Sequence, residues 1–262
     1  MPYSSEDQNW IRDQLHTQHV GREIITYTTV ESTNDLAKEL VTAWDKEGTV
    51  ILADCQTQGK GRSGRTWYSE ENVGIYLSVL LKPGLAPEQI APITLIAGVA
   101  LTQALNEFSR TRPVLKWPND ILLNGKKVAG ILTENHKEDG HSGIILGIGI
   151  NVNHTRFPIS LQHIATSLAM ENGESFERPP LIAAFLNHLD REYSGFLEEG
   201  PSHAALQWNQ HSEMFGKHIS LKQGTETYSG TAMKLDDEGR LVILLDSGEE
   251  MAFVAGEITS ME

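Results

Sequence analysis

An α+β fold is predicted, with a mixed, mainly antiparallel sheet, helices on one side and a small all-β unit at the C-terminus. Three observations predict it. Short β-branched and aromatic runs recur along the first half of the chain at hairpin-like spacing. Long apolar-periodic runs lie between and after them, as helices covering a sheet require. From Gly216 onward the pattern changes to short strands separated by "GTE", "DDEG" and "DSG" turns.

The elements follow in order. "EIITYTTV" (Glu23 to Val30) reads as a strand, and "ESTNDLAKELVTAW" after it reads as a helix. Ser32, Thr33 or Asn34 can cap that helix, and Leu36, Ala37, Leu40 and Val41 fall at helical spacing. "GTVILADC" is a buried strand that runs into a glycine-rich loop, and "VGIYLSVLLKP" is the next strand. "PEQIAPITLIAGVALTQALNEF" is a long apolar helix with proline near its start. "PVLKWPNDILL", "KKVAGILTEN" and "SGIILGIGINVN" read as three further strands, joined by "NGK" and by a polar stretch at Lys137 to His141. "PPLIAAFLNHLDREYSGFLEEG" and "PSHAALQWNQH" read as helices. "KHISLKQ", "TYSGTAMKLD", "RLVILLD" and "EEMAFVAGEITSM" read as the strands of the C-terminal barrel. The division expected is 1–214 for the larger unit and 215–262 for the smaller.

Composition narrows the function classes. Hydrophobic residues make up 39% of the 262, and charged residues 21%, as in ordinary globular proteins. No apolar run reaches the length of a membrane span. The polar, acidic N-terminus "MPYSSEDQNWIRDQL" is not a secretory signal. The single cysteine, Cys55, suits a reducing, cytoplasmic setting. A formal net charge of −14 argues against sequence-independent binding to DNA, which needs a basic face.

Against that acidity, "DCQTQGKGRSGRTWYS" (Asp54 to Ser69) gathers Gly59, Gly61 and Gly64 with Lys60, Arg62 and Arg65. Gly59, Gly61 and Gly64 satisfy G-x-G-x-x-G, but a polar loop and a strand follow instead of the helix a dinucleotide site requires. A solvated hairpin turn would account for the glycines. It would not account for like charges held together. Glycines let backbone N–H groups approach a ligand, and arginines add forked, permanent donors. The combination suits a carboxylate and a phosphate side by side. Trp67 could stack on a base or close the edge of a core.

A second run, "KWPNDILLNGKKVAGIL" (Lys116 to Leu132), has a turn set by Pro118, then Asn119 and Asp120 at the mouth of a strand. Lys126 and Lys127 are either a solvated pair on an ordinary hairpin or a further cation for the same ligand, with Asp120 as base or metal ligand. "GIGIN" (Gly147 to Asn151) alternates glycine along a strand, which implies close approach of something to the backbone. The ten histidines include no H-E-x-x-H and no zinc-spaced cluster.

"ESTND", "QTQGKGRSGRTW", "KWPNDILLNGKKVAGIL" and "GIGINVN", in that order, strongly resemble the biotin protein ligases over nearly the whole chain. The resemblance implies the α/β catalytic fold of the biotin and lipoate ligases with an SH3-like C-terminal domain. It implies formation of biotinyl-5′-AMP from biotin and Mg-ATP, then transfer of biotin to one lysine of a carboxyl carrier domain. By motif, Ser32, Thr33, Asn34, Gln56, Gly59 and Gly130 resemble the biotin-binding set. Lys60, Gly61 and Arg62 resemble the loop that closes over biotin and its adenylate. Lys127 resembles the lysine reaching the biotin carboxylate and α-phosphate. Arg65, Trp67, Asn119 and Asn151 fall on the nucleotide side, with Trp67 resembling the adenine-stacking residue. Asp120 resembles the aspartate proposed to help deprotonate the acceptor lysine. The catalytic set implied is Arg62, Lys127 and Asp120.

Many relatives carry arginine where Lys60 stands; lysine keeps the charge without the fork. The ligase pattern starts near Glu23, so the resemblance is to the monofunctional class without an N-terminal DNA-binding domain. Members are often homodimers. The rival readings are a lipoate or octanoate ligase of related fold, and a non-catalytic sensor of biotin or a nucleotide.

Overall fold

The computed structural model describes residues 2–43, 47–84, 90–138 and 141–262, without the side chains of 41–43, 138 and 141. The side chain of Val41, the expected helical residue Trp44, the expected start of the long helix at Pro87 and part of the polar stretch before His141 lie outside what is described.

A helix that the sequence pattern did not predict opens the chain: α1, Ser5–Asp13. Its signal is Ser4 with Asp7 three residues on, a reciprocal capping box in which the Asp7 N–H donates to the Ser4 hydroxyl and the Ser4 N–H to the Asp7 carboxylate. Strand β1 (Glu23–Val30), helix α2 (Thr33–Ala43) and strand β2 (Thr49–Gln56) follow, with β1 and β2 parallel. Then come β3 (Gly74–Leu81), helix α3 (Ala91–Phe108), β4 (Val114–Lys116), β5 (Asp120–Leu123), β6 (Lys126–Glu138) and β7 (His141–Asn151). The sheet order is β1-β2-β3-β7-β6-β5-β4, and every pair except β1–β2 is antiparallel. The mixed, mainly antiparallel sheet is as expected. The run Pro113 to Leu123 is two strands, not one. It folds back through Trp117, Pro118 and Asn119 so that Lys116 pairs with Asp120, and the Trp117–Pro118 peptide is cis.

Strand alternation assigns each residue to a face. On β3, Ile75, Leu77, Val79 and Leu81 join the main core, while Ser78 and Leu80 point the other way. On β7, Ile144, Leu146, Ile148 and Ile150 join that core, and Gly147 and Gly149 alternate with them. Helices α3 and α5 (Arg178–Glu199) pack on each other over the core face, with α6 (Pro201–His211) beside them. The one-sided arrangement of helices needs one correction. Ala37 of α2 packs with Ile51, Leu80 and Ile145 on the opposite face. A parallel β1–β2 pair needs a crossover, and here the crossover helix crosses on the side that α3 and α5 leave open. It covers only part of that face, and the remainder is a cleft. A short helix, α4 (Leu168–Asn172), lies between β7 and α5.

The C-terminal unit is a five-stranded antiparallel sheet of β8 (His218–Gln223), β9 (Glu226–Leu235), β10 (Leu241–Leu245), β11 (Glu250–Phe253) and β12 (Glu257–Met261), in the order β11-β10-β9-β8-β12. This matches the SH3-like expectation. The run Glu249 to Met261 is two strands rather than one. β11 pairs with β10 at one edge, and the chain must break to reach β8 at the other edge. That break turns Gly256 and Glu257 toward the glycine-rich loop. Ile219, Leu221, Leu241 and Ile243 belong to the same apolar cluster as the main sheet, so the two sheets share one continuous core.

Candidate active site

The floor of the cleft is a chain of polar groups contributed by the start of α2 and by strands beneath it. Ser32, Thr33 and Asn34 are each 3% exposed, so their polar atoms need partners inside the protein. The Thr33 N–H and hydroxyl both donate to Gln56 Oε1, at 2.9 and 3.2 Å. Gln56 Nε2 donates to the Ser69 hydroxyl at 2.9 Å. Ser78 lies between Thr33 Oγ1 at 2.8 Å and Asn34 Oδ1 at 2.6 Å. Asn34 Nδ2 donates to Glu134 at 2.7 Å, and Glu134 also holds Lys38 Nζ at 2.6 Å.

The wall is a stripe of glycines. A Cβ on Gly147 would come within 2.2 Å of Asn34 Oδ1; one on Gly149 within 2.4 Å of the Trp67 indole; one on Gly130 within 2.9 Å of the same ring. These strand glycines exist because side chains lie flat against the backbone there. Lys127 Nζ stands 5.2 Å from the centre of the Trp67 ring, within cation–π reach. The indole N–H is buried without a partner.

The cations are each matched by an oxygen, which is how the loop tolerates three positive charges. Lys60 pairs with Asp35 at 2.6 Å. Arg62 donates to Asn119 Oδ1 at 2.7 Å and to the Gly256 carbonyl at 3.3 Å. Arg65 pairs with Glu257. Lys127 pairs with Asp120 at 2.6 Å. Partial burial opposes the charge on Asp35, and the Lys60 and Lys38 ammoniums more than offset it, so its carboxyl sits below the usual range. The Glu257 carboxyl is also lowered, by its bond to Arg65 first. Burial pulls the Arg62 guanidinium below its ordinary value.

Of the residues singled out in the sequence, Ser32, Thr33, Asn34 and Gln56 line the cleft at its floor. Lys60, Gly61 and Arg62 line it from the loop, and Trp67, Asn119, Lys127 and Gly130 from the strands and their turns. Gly59 stands behind, where a Cβ would meet the Trp67 carbonyl at 2.6 Å. Arg65 points away, to the C-terminal sheet. Asp120 meets the cleft through Lys127, and Asn151 Nδ2 donates to the Lys127 carbonyl at 3.4 Å. Sequence reasoning did not reach Ser78, Glu134, Asp35, Lys38 or Glu257. Ser78 had a signal, the one serine inside the apolar run "GIYLSVLL". Glu134 had none, because its partner Asn34 is 100 residues away.

Residues 26–151 match the model of the Biotin/lipoate A/B protein ligase family, and residues 214–259 that of the Biotin protein ligase C terminal domain. The chain is 38% identical over 242 residues to the bifunctional ligase/repressor BirA of Bacillus subtilis, covering 91% of this chain and 74% of that protein. It belongs to the biotin/lipoate A/B protein ligase family. It is 30% identical to the biotin–[acetyl-CoA-carboxylase] ligase of Mycobacterium tuberculosis, over 97% of this chain and 96% of that one. The biotin protein ligase of Aquifex aeolicus, solved with biotin and ATP, superposes with a TM-score of 0.80 at 30% identity, over 92% and 99% of the two chains. Every candidate site residue of this ligase-family chain falls inside the first matched segment. The anchor of its loop, Gly256 and Glu257, falls inside the second.

Proposed function

We propose that this chain is an ATP-dependent biotin ligase that forms biotinyl-5′-AMP and transfers the biotinyl group to a lysine of a biotin carboxyl carrier domain. One observation carries the reading: Lys60, Arg62 and Lys127 ring a cleft whose floor is a hydrogen-bonded polar chain. The cations suit two anions brought together, and the floor suits a small polar head group such as a cyclic urea.

In the first step a biotin carboxylate oxygen attacks the α-phosphorus of ATP, the bond to the β-phosphate oxygen breaks, and pyrophosphate leaves. Repulsion between the two anions is the main obstacle, and fixed positive charge lowers it. Lys127 lies nearest the wall, Arg62 closes from the loop, and Lys60 supports it. In the second step the neutral amine of the acceptor lysine attacks the acyl carbon and AMP leaves. A lysine must first lose a proton from a group with an ordinary pKa of about 10.4. Asp120 is the candidate acceptor of that proton. Once a ligand phosphate draws Lys127 away, the Asp120 carboxylate is free to face an incoming amine. Magnesium bound to ATP would supply charge neutralisation on the phosphates. Among the described residues no three acidic or histidine side chains converge on a metal position. The ion would be held chiefly by phosphate oxygens and water, a usual pattern for magnesium. A cytoplasmic location and a homodimer belong to the same reading. Among the described residues no helix is long and apolar enough to cross a membrane.

The direct test is incubation with biotin, Mg-ATP and a carrier domain, with the acceptor read by intact mass. Gain of one biotinyl group is expected; a lipoyl gain in a competition with lipoate would overturn the reading. Two variants probe the site. Arg62→Gly removes the contacts to Asn119 and Gly256 that hold the loop over the cleft. It should release biotinyl-AMP and label bystander lysines; unchanged acceptor selectivity by mass spectrometry would count against Arg62 as the closing residue. Gly149→Ala would drive a methyl into Trp67, displacing the indole from the wall. Biotin and ATP affinity by calorimetry should fall by roughly tenfold or more, the scale of a steric clash of about 1–3 kcal/mol.

A further inference from the structure

We propose that Glu134 is a positioning residue that locks the polarity of the Asn34 side chain, so that the cleft presents an acceptor oxygen and selects a ligand with an N–H donor there. This rests on the biotin-ligase reading above and deepens it to the head group.

An asparagine amide carries an acceptor at one end and two donors at the other, and nothing in its shape decides which way it lies. Its neighbours do. Asn34 Oδ1 accepts from Ser78 Oγ at 2.6 Å, but a hydroxyl can donate or accept and would tolerate either orientation. On the other side Asn34 Nδ2 meets Glu134 Oε2 at 2.7 Å and the Leu132 carbonyl at 3.4 Å. Both are acceptors only. A reversed amide would set oxygen against a carboxylate oxygen at that distance.

The carboxylate is itself fixed. Asn34 and Lys38 are four residues apart on α2 and share one helix face. That face meets β6, where each oxygen of Glu134 takes one of them: Oε2 the amide, Oε1 the ammonium at 2.6 Å. Lys38 also reaches Asp35 at 3.4 Å, and Asp35 holds Lys60 of the glycine-rich loop. The chain of contacts therefore runs from the loop to the floor of the cleft. At its end Asn34 lines the cleft, with its Oδ1 packed against Gly147, where a Cβ would stand 2.2 Å away. The ureido ring of biotin offers N–H donors to such an oxygen. The dithiolane ring of lipoate offers none.

The test is a charge exchange, Lys38→Glu with Glu134→Lys. It keeps an ion pair between α2 and β6 but puts a donor against Asn34 and turns the amide. Steady-state pyrophosphate release should show the KM for biotin raised by roughly tenfold or more, the scale of one mismatched hydrogen bond. The kcat and the KM for ATP should stay within about twofold, because a contact equal in ground and transition states moves KM alone. Recovery of the wild-type KM for biotin would show a merely structural ion pair and overturn the proposal. If the exchanged protein does not fold, Glu134→Met serves: the same split in KM is expected, and an unchanged biotin KM overturns the proposal. Biotin-dependent pyrophosphate release by the wild-type chain separates the two levels. Its absence overturns the biotin-ligase reading and this proposal with it; its presence with unaltered variants overturns this proposal alone.

Discussion

Replacing Lys127 by alanine is expected to slow biotinyl-AMP formation by about two to three orders of magnitude, the scale of losing one preorganised electrostatic contact in an active site. The expectation rests on how firmly the residue is held. Its N–H donates to the Ile164 carbonyl at 2.8 Å, and its own carbonyl accepts from Thr166 at 3.0 Å, so the backbone is clamped on both sides. Its ammonium lies between Asp120 and the Trp67 ring, in the lining of the cleft. With the backbone fixed, only the ammonium has to turn from Asp120 when two anions meet beside it, whereas a whole shell of water would have to reorient. Biotin-dependent pyrophosphate release at saturating biotin and ATP is the measurement. A near-normal rate would remove Lys127 from the reaction. Lys127→Arg should fall between the two, because the charge survives but the rigid fork cannot occupy the position of a compact ammonium.

The largest effect on stability is expected from Arg178→Ala, at about 3–5 kcal/mol, the usual cost of removing one partner from a buried ion pair. Asp54 is fully buried, and Arg178 Nη1 donates to its Oδ1 at 2.6 Å and to the Gly74 carbonyl at 3.0 Å. The other Asp54 oxygen accepts from the Asn72 N–H at 3.1 Å, and the guanidinium lies 4.4 Å over the Tyr3 ring. Alanine would leave a carboxylate in an apolar site with too few donors. Against a total of about 5–15 kcal/mol for a folded domain, that loss is a large fraction. Urea denaturation should show a much lower midpoint at an unchanged slope; a shift worth under about 1 kcal/mol would mean the pair is not holding this region together. Converting both residues to leucine should recover much of the loss, since the penalty comes from the stranded charge. Because Asp54 stands two residues before Gln56, the single variant should also weaken the cleft floor.

Much of the fold was legible because its signals are local. The order of strands and helices, the change of architecture after α6 and the glycines of "GIGIN" follow from patterns within a few residues of one another. The misreadings have a common cause. "PVLKWPNDILL" and "EEMAFVAGEITSM" look continuous in hydrophobicity, yet each contains a reversal or an edge-to-edge passage that only sheet order requires. The placement of α2 opposite α3 and α5 was equally hidden, because an amphipathic helix shows that it has a buried face, not which side of a sheet receives it.

The chain alone determined the chemistry on offer: a cationic, glycine-rich loop, a second basic turn, small residues at alternate strand positions and a polar helix start. Tertiary structure decided the pairings. Antiparallel neighbours β6 and β7 bring Gly130, Gly149 and Gly147 onto one wall, α2 brings Asn34 and Lys38 to Glu134, and the break between β11 and β12 brings Glu257 to Arg65. The physical reason is range. Backbone periodicity is set by nearest neighbours and can be read along the chain. Ion pairs and hydrogen bonds fall off within a few ångströms, and which groups come that close is settled only when distant strands take their places in the sheet.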